Sequence, residues 1–267
     1  METSKITTAI IGCGNLGKAL ALGFLDGGIP ADNIHVTTRG ATGLDAIASR
    51  GISIGTDNVA SIADAQLVIV AVKPYNMDAV LKELAPHLDP DRHVLVSVVT
   101  GITLAHISSF LKPEVSVFRA MPNTAADVKE SLTCIAQGHT RSLHTDLVHA
   151  AFKLVGPVIP IAEELMEAAT VMGACGIAYV MRFIRAMVQG GIQIGFDAKT
   201  AGLIVQQTVK GAAELLITNE SHPESEIDKV TTPKGCTIAG LNEMEHNGFS
   251  SALIKGIVAS HEKIVTR

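Results

Sequence analysis

Several features that would settle a class at once are missing from this chain of 267 residues. Tryptophan is absent and aromatic residues make up only 3%. Small aliphatic side chains must therefore build the core, as they do in parallel sheets covered on both faces by helices. There is no Lys/Arg-rich run and the formal net charge is −5, so nucleic-acid or anionic-membrane binding has no electrostatic footprint. The four cysteines, Cys13, Cys134, Cys175 and Cys236, are scattered without a C-x-x-C pair. The histidines form no spaced cluster either, so neither a disulfide framework nor a metal site is expected. The longest apolar stretch, Ala168–Met181, is shorter than a bilayer crossing and carries two glycines, so no membrane span is expected. Met1 to Lys5 lead straight into a strand-like run, which leaves no room for a signal peptide and makes a cytoplasmic protein the expectation. Repeats and low-complexity segments are also lacking. Hydrophobic residues at 47% and charged residues at 18% supply a sizeable core and argue against disorder.

What is present is an alternation of two periodicities. Strand-like segments occur at Thr7–Gly12, Ile34–Thr37, Ile52–Ile54, Leu67–Val72, Val94–Val98, Val115–Arg119, Leu132–Ala136 and Val158–Ile161. Helical patterns fall between most of them, at Leu16–Leu25, Met77–Leu84, Leu104–Leu111 and Leu143–Leu154. The run Leu67–Val72 is apolar on both faces, as a strand between two helical layers must be. The expectation is an α/β fold with an N-terminal doubly wound, mostly parallel Rossmann sheet over residues 1–162.

After Ile161 the strand pattern stops. Helices are expected at Glu163–Ala174, Ala178–Gln189, Ala198–Asn219, Glu224–Val230 and Thr237–Ile264, the last broken near Asn247-Gly248. Between Glu167 and Asp197 the only charged residues are Arg182 and Arg185. Helices that are apolar nearly all round need a partner surface. Residues 163–267 are therefore expected to form an all-α dimerisation domain, with a second copy of the chain as partner and further assembly open.

The sharpest motif is at the start. Gly12-Cys13-Gly14-Asn15-Leu16-Gly17 follows the first strand and opens an apolar helix. In that strand–turn–helix context G-x-G-x-x-G is a dinucleotide fingerprint. Gly12 makes the tight turn, Gly14 lets backbone approach a pyrophosphate, and Gly17 lets helix and strand pack closely. The helix N-terminus, through Asn15 and Leu16, offers free N–H groups to the phosphates.

An NAD-selective site places a carboxylate about 20 residues further on, at the end of the second strand. Here that position reads Thr37-Thr38-Arg39-Gly40-Ala41-Thr42. Hydroxyls and one arginine favour the 2′-phosphate of NADP, with Arg39 as a charge-assisted donor beside Thr38. NADPH is the expected cofactor, with NADH second.

Four further segments, in order, carry a resemblance. They are Ala71-Val72-Lys73-Pro74, Arg119-Ala120-Met121-Pro122-Asn123-Thr124, Gln207-Thr208 with Gly211, and Val230-Thr231-Thr232-Pro233-Lys234-Gly235-Cys236-Thr237-Ile238-Ala239-Gly240-Leu241. The last is similar to V-T-S-P-G-G-T-T-I-A-G-L of the pyrroline-5-carboxylate reductases. The chain resembles that family over essentially its whole length. The resemblance implies NAD(P)H-dependent reduction of Δ1-pyrroline-5-carboxylate to L-proline, the last step of proline synthesis. It also implies a Rossmann domain and a dimerising helical domain.

Imine reduction needs a hydride donor over the carbon, an anchor for the carboxylate and a proton for the nitrogen. Val72, Lys73, Pro74, Thr100, Met121, Pro122 and Asn123 follow strand ends, where a nicotinamide lies. Lys73 is a candidate for contact with substrate or cofactor; the alternative is a solvated strand-end lysine. Pro233–Thr237 enters a helix, so its N–H groups can converge on an anion. By resemblance, Gly235, Cys236 and Thr237 hold the carboxylate through backbone, Thr232 stands for a family serine, and the Thr237 hydroxyl faces the imine nitrogen. The alternatives are a helix cap at Thr237 and a turn hydroxyl at Thr232. Asn58 resembles a family asparagine near the adenine nucleotide.

The resemblance frays around substrate. Family A-L-S-G-S-G-P-A-Y reads Val171-Met172-Gly173-Ala174-Cys175-Gly176-Ile177-Ala178-Tyr179 here. Both serines and the proline are gone, leaving Cys175 and Gly176 as candidate substrate contacts. Lys234 stands where the family has glycine and offers a cation to the carboxylate. These changes keep two alternatives open: a reductase of another cyclic imine acid, and a non-catalytic NADP-binding paralogue. A β-hydroxyacid dehydrogenase, with Lys210 as its lysine, would leave the 232–237 loop unexplained.

Overall fold

The computed structural model describes residues 3–40 and 44–266. Ala41 and Thr42 of the expected cofactor loop lie outside the described residues. Two compact units emerge. One holds the residues up to Cys175 together with those from Lys263 on; the other is Gly176–Glu262.

The first unit is an eight-stranded sheet in the order β3-β2-β1-β4-β5-β6-β7-β8. Its strands are β1 (Thr8–Ile11), β2 (Ile34–Thr37), β3 (Ser53–Gly55), β4 (Leu67–Val70), β5 (Val94–Ser97), β6 (Ser116–Met121), β7 (Thr133–Gln137) and β8 (Val158–Pro160). All pairings are parallel except β6–β7. In register, β1 Thr8 pairs with both Ile34 and Leu67. The connections are α1 (Asn15–Asp26), α2 (Asp45–Ala48), α3 (Asn58–Ile62), α4 (Met77–Leu84), α5 (Leu104–Ser108) and α6 (Ser142–Lys153). They cover the sheet with two buried clusters, one built on Ile10, Phe24, Ile69, Phe118 and Phe152, the other on Ile11, Val68, Leu81, Leu95 and Val117. β1, β4 and β5 are buried at every position, which is why their sequences are apolar but for Thr8 and Ser97 at their ends. Strand order reverses between β1 and β4, and a crevice opens there at the carboxyl ends of the strands.

Two polar devices hold the sheet unit together. Arg119, on β6 with a side chain 3% exposed, pairs with Glu163 Oε1 at 3.1 Å and Glu167 Oε1 at 2.9 Å. Glu163 also accepts the Leu104 N–H at 2.6 Å. The first turns of the C-terminal helical run are thus tied to the sheet. Buried His93 accepts the Asp89 N–H at Nδ1 (2.8 Å) and donates from Nε2 to Ile62 O (3.0 Å), which uses both ring nitrogens in the neutral form.

The helical run is longer than the sequence pattern suggests. In place of two segments broken between Ala174 and Ala178, the chain stays helical from Glu163 to Gln193, over 31 residues. It passes as α7 (Met166–Ala169), a π-helical turn Thr170–Cys175, and α8 (Gly176–Gln193). The π turn takes in Gly173, and Gly176 opens α8, so neither glycine ends the run. The expectation that this region is too short to cross a membrane is corrected: by length and composition alone the run suffices.

The second unit is helical: α8 from Gly176 on, then α9 (Ala198–Asn219), α10 (Pro223–Lys229), α11 (Cys236–His246) and, as far as Glu262, α12 (Phe249–Val265). Asp197 caps α9 by accepting the Lys199 and Thr200 N–H groups, both at 3.0 Å. Hydrogen bonding from the Thr200 side chain, and then from the Thr200 N–H, holds the Asp197 carboxyl below the usual range. Val188, Ala201 and Val205 make a small buried cluster between α8 and α9. Tyr179 Oη donates to Ser260 Oγ at 2.6 Å, joining α8 to α12.

Candidate active site

The crevice at the switch point is a cleft of about 780 Å³. Its floor is the β1–α1 turn. Gly12 has φ +105°, and a Cβ there would lie 2.7 Å from Ala71 O. A Cβ on Gly17 would run into the Gly12 carbonyl, whereas one on Gly14 would meet only open space. Gly12 and Gly17 therefore serve packing, and Gly14 leaves room along the cleft. Gly14 caps α1 without a side-chain oxygen, so the first-turn N–H groups remain available to an anion. These observations fit a pyrophosphate.

Of the cofactor candidates, Gly12, Gly14, Asn15, Leu16, Thr38, Arg39, Asn58, Val72, Lys73, Pro74 and Thr100 line this cleft. Gly17 sits behind it. Lys73 caps the 3-10 turn Pro74–Asn76 with its backbone, its side chain exposed. Met121 and Pro122 are buried and do not line the cleft, although Thr124 does. Asn123 is occupied internally: its side-chain oxygen accepts the Ala125 N–H at 2.9 Å, and its amide donates to Gly173 O at 3.1 Å.

Two lining groups, Cys13 and Glu83, escape the sequence reading. Cys13 faces the cleft with its thiol pushed up by burial. Thr37 Oγ1 donates to Asn58 Oδ1 at 2.7 Å, and Asn58 Nδ2 donates to Glu83 Oε2 at 2.8 Å. Glu83 comes from the last turn of α4, and only the folded chain brings it beside the end of β2. Among the described residues neither Glu83 nor Arg39 has an ion pair.

The loop before α11 belongs to the helical unit. The Gly235 N–H donates to Thr232 O at 2.9 Å, closing a turn with Pro233 second and Lys234 third. Lys234 has φ 59°, a left-handed conformation that disfavours a side chain. A Cβ on Gly235 would lie 2.5 Å from Thr232 Oγ1, so the turn needs glycine there. Gly235 is the N-cap of α11, without a side-chain cap. The first N–H groups of α11, from Cys236 and Thr237 on, are thus uncapped. Thr237 is half-buried, and Thr232, Lys234 and Cys236 are exposed. Cys175 ends the π turn and Gly176 begins α8. No cluster of His, Cys, Asp or Glu suited to a metal occurs among the described residues.

A glycine cradle under a switch-point crevice, on a doubly wound sheet, defines a dinucleotide-binding oxidoreductase. The family described as "NADP oxidoreductase coenzyme F420-dependent" matches residues 7–101, and "Pyrroline-5-carboxylate reductase dimerisation" matches residues 163–266. Pyrroline-5-carboxylate reductase 2 of Dictyostelium discoideum is 43% identical over 96% of this chain and 91% of its own length. Pyrroline-5-carboxylate reductase 1 of the same organism is 42% identical over 96% of this chain, which spans only 48% of that longer relative. The Plasmodium falciparum pyrroline carboxylate reductase with NADP bound superposes with a TM-score of 0.89 at 25% identity, covering 97% of each chain. The chain belongs to the pyrroline-5-carboxylate reductase family.

Proposed function

We propose that this chain reduces the C=N bond of Δ1-pyrroline-5-carboxylate to give L-proline, with NADPH as the preferred donor and NADH second. The reading rests on one observation: a glycine-cradled dinucleotide cleft and an uncapped, anion-ready turn at Thr232–Thr237 occur in one chain of this family. When bound, the dinucleotide supplies a hydride to the imine carbon. The chain's own groups do the rest. The α1 N-terminus holds the pyrophosphate, Asn58 and Thr38 the adenosine end, and Arg39 the 2′-phosphate. Val72, Lys73, Pro74 and Thr100 border the path to the nicotinamide.

In the helical unit, the Cys236 and Thr237 N–H groups hold the substrate carboxylate, and Lys234 adds a cation where the family has only backbone. That charge offsets the hydroxyls lost at Gly173 and Cys175. Thr237 Oγ1 keeps the imine nitrogen hydrogen-bonded as it takes up its proton. Residues 163–267 act as the substrate-binding and self-associating part, giving a homodimer through the C-terminal helices. The protein works in the cytoplasm.

The test mixes purified protein, NADPH and Δ1-pyrroline-5-carboxylate and follows nicotinamide absorbance and proline formed. Thr237→Ala is expected to lower kcat by about a hundredfold. NADPH binding without turnover in the wild type would instead favour another imine acid or a non-catalytic role.

A further inference from the structure

The sequence places no carboxylate at the end of β2, yet the fold supplies one from elsewhere. Glu83 lies 25 residues after Asn58 and is joined to it at 2.8 Å. Asn58 is in turn joined to Thr37, the last residue of β2, at 2.7 Å. All three line the dinucleotide cleft together with Thr38 and Arg39. The bond polarity is fixed along this chain. Thr37 gives its proton to Asn58 Oδ1, and the Asn58 amide then points its N–H at Glu83 Oε2. One carboxylate oxygen is held, and Oε1 keeps free acceptor capacity.

The carboxyl end of β2 is where this fold places the adenosine ribose. An acceptor-only anion there receives a ribose 2′-hydroxyl well and opposes a 2′-phosphate, whereas Arg39 does the reverse. We propose that Glu83 is a cofactor-specificity residue: anchored through Asn58 and Thr37, it admits the 2′-hydroxyl cofactor NADH alongside NADPH. This deepens the dinucleotide reading and rests on it. Selectivity then depends on two opposed charges on different elements, Arg39 after β2 and Glu83 on α4.

Equilibrium binding tests this without turnover. Dissociation constants of 5′-AMP and 2′,5′-ADP are measured by calorimetry for the wild type, Glu83→Gln and Arg39→Ala, each checked for an unchanged thermal melt. Glu83→Gln keeps an acceptor for the Asn58 amide and removes only the charge. It is expected to shift the AMP-to-2′,5′-ADP preference toward 2′,5′-ADP by about tenfold, the scale of one like charge a few ångströms away near a protein surface. Arg39→Ala is expected to shift the same ratio the other way. Raising salt is expected to shrink both shifts. A wild type that binds both fragments, with a ratio unmoved by Glu83→Gln, would overturn the role of Glu83 and leave the dinucleotide site standing. A wild type that binds neither fragment would overturn both.

Discussion

The two units of this chain bury their apolar residues to very different degrees. The sheet unit encloses two large clusters, with Phe24, Phe118 and Phe152 fully inaccessible. The helical unit buries Val188, Ala201 and Val205 and little else. It leaves Ile204 47%, Leu215 51% and Ile254 60% exposed. On α9, Ile204, Thr208, Gly211 and Leu215 recur at helical spacing and form one stripe. A sheet covered on two faces closes its core within one chain. Helices that are apolar on more than one side do not, and a dimerisation domain is what the family match assigns to them.

Four experiments break or sharpen this contrast. The largest effect is expected from Ile204→Glu with Leu215→Glu. These charges should abolish self-association in sedimentation and lower the melting temperature by roughly 10 °C or more, as for a unit stabilised by mass action. An unchanged sedimentation coefficient would place the partner surface elsewhere. Next comes Arg119→Ala within the sheet unit. It leaves Glu163 and Glu167 without their cation and should cost about 3–5 kcal/mol in urea unfolding. A cost below about 1 kcal/mol would mean that the pair behaves like a surface bridge.

The third experiment varies pH. Burial, the largest cause, pushes the His93 and His144 imidazoles below their ordinary value. The unfolded chain therefore binds more protons than the folded one in the window just below about pH 6.5. Stability should be fully present above that value and fall as pH drops through it, read as a falling urea midpoint in the sheet unit. A flat midpoint between about pH 7.5 and 5.5 would show that neither ring resists protonation. The smallest effect is expected from Lys234→Gly. Relief of the left-handed backbone outweighs the greater freedom of glycine in the unfolded chain, for a gain of about 0.5 kcal/mol. The same change should raise the KM for the imine acid severalfold. A more stable variant with an unchanged KM would remove Lys234 from the carboxylate.

The strands were legible because burial on both faces writes continuous apolar runs such as Leu67–Val70. The cofactor cleft was legible because its glycines are adjacent in sequence. Glu83 was not, since its partner Asn58 belongs to another helix and nothing local marks an exposed glutamate on α4. The helical run through Gly173 and Gly176 was misjudged because glycine is a weak stop signal when a π turn can take up the extra residue. The strain at Lys234 was equally hidden, because positive φ at a lysine shows only in the backbone.

The tie between Arg119 and Glu163 and Glu167 has a consequence for the newly made chain. Both carboxylates, and every strand of the sheet, precede Gly176. A polypeptide leaving the ribosome N-terminus first can complete those ion pairs before the apolar stripe of α9 exists. The surfaces most prone to aggregate are then synthesised last and wait the shortest time for a partner.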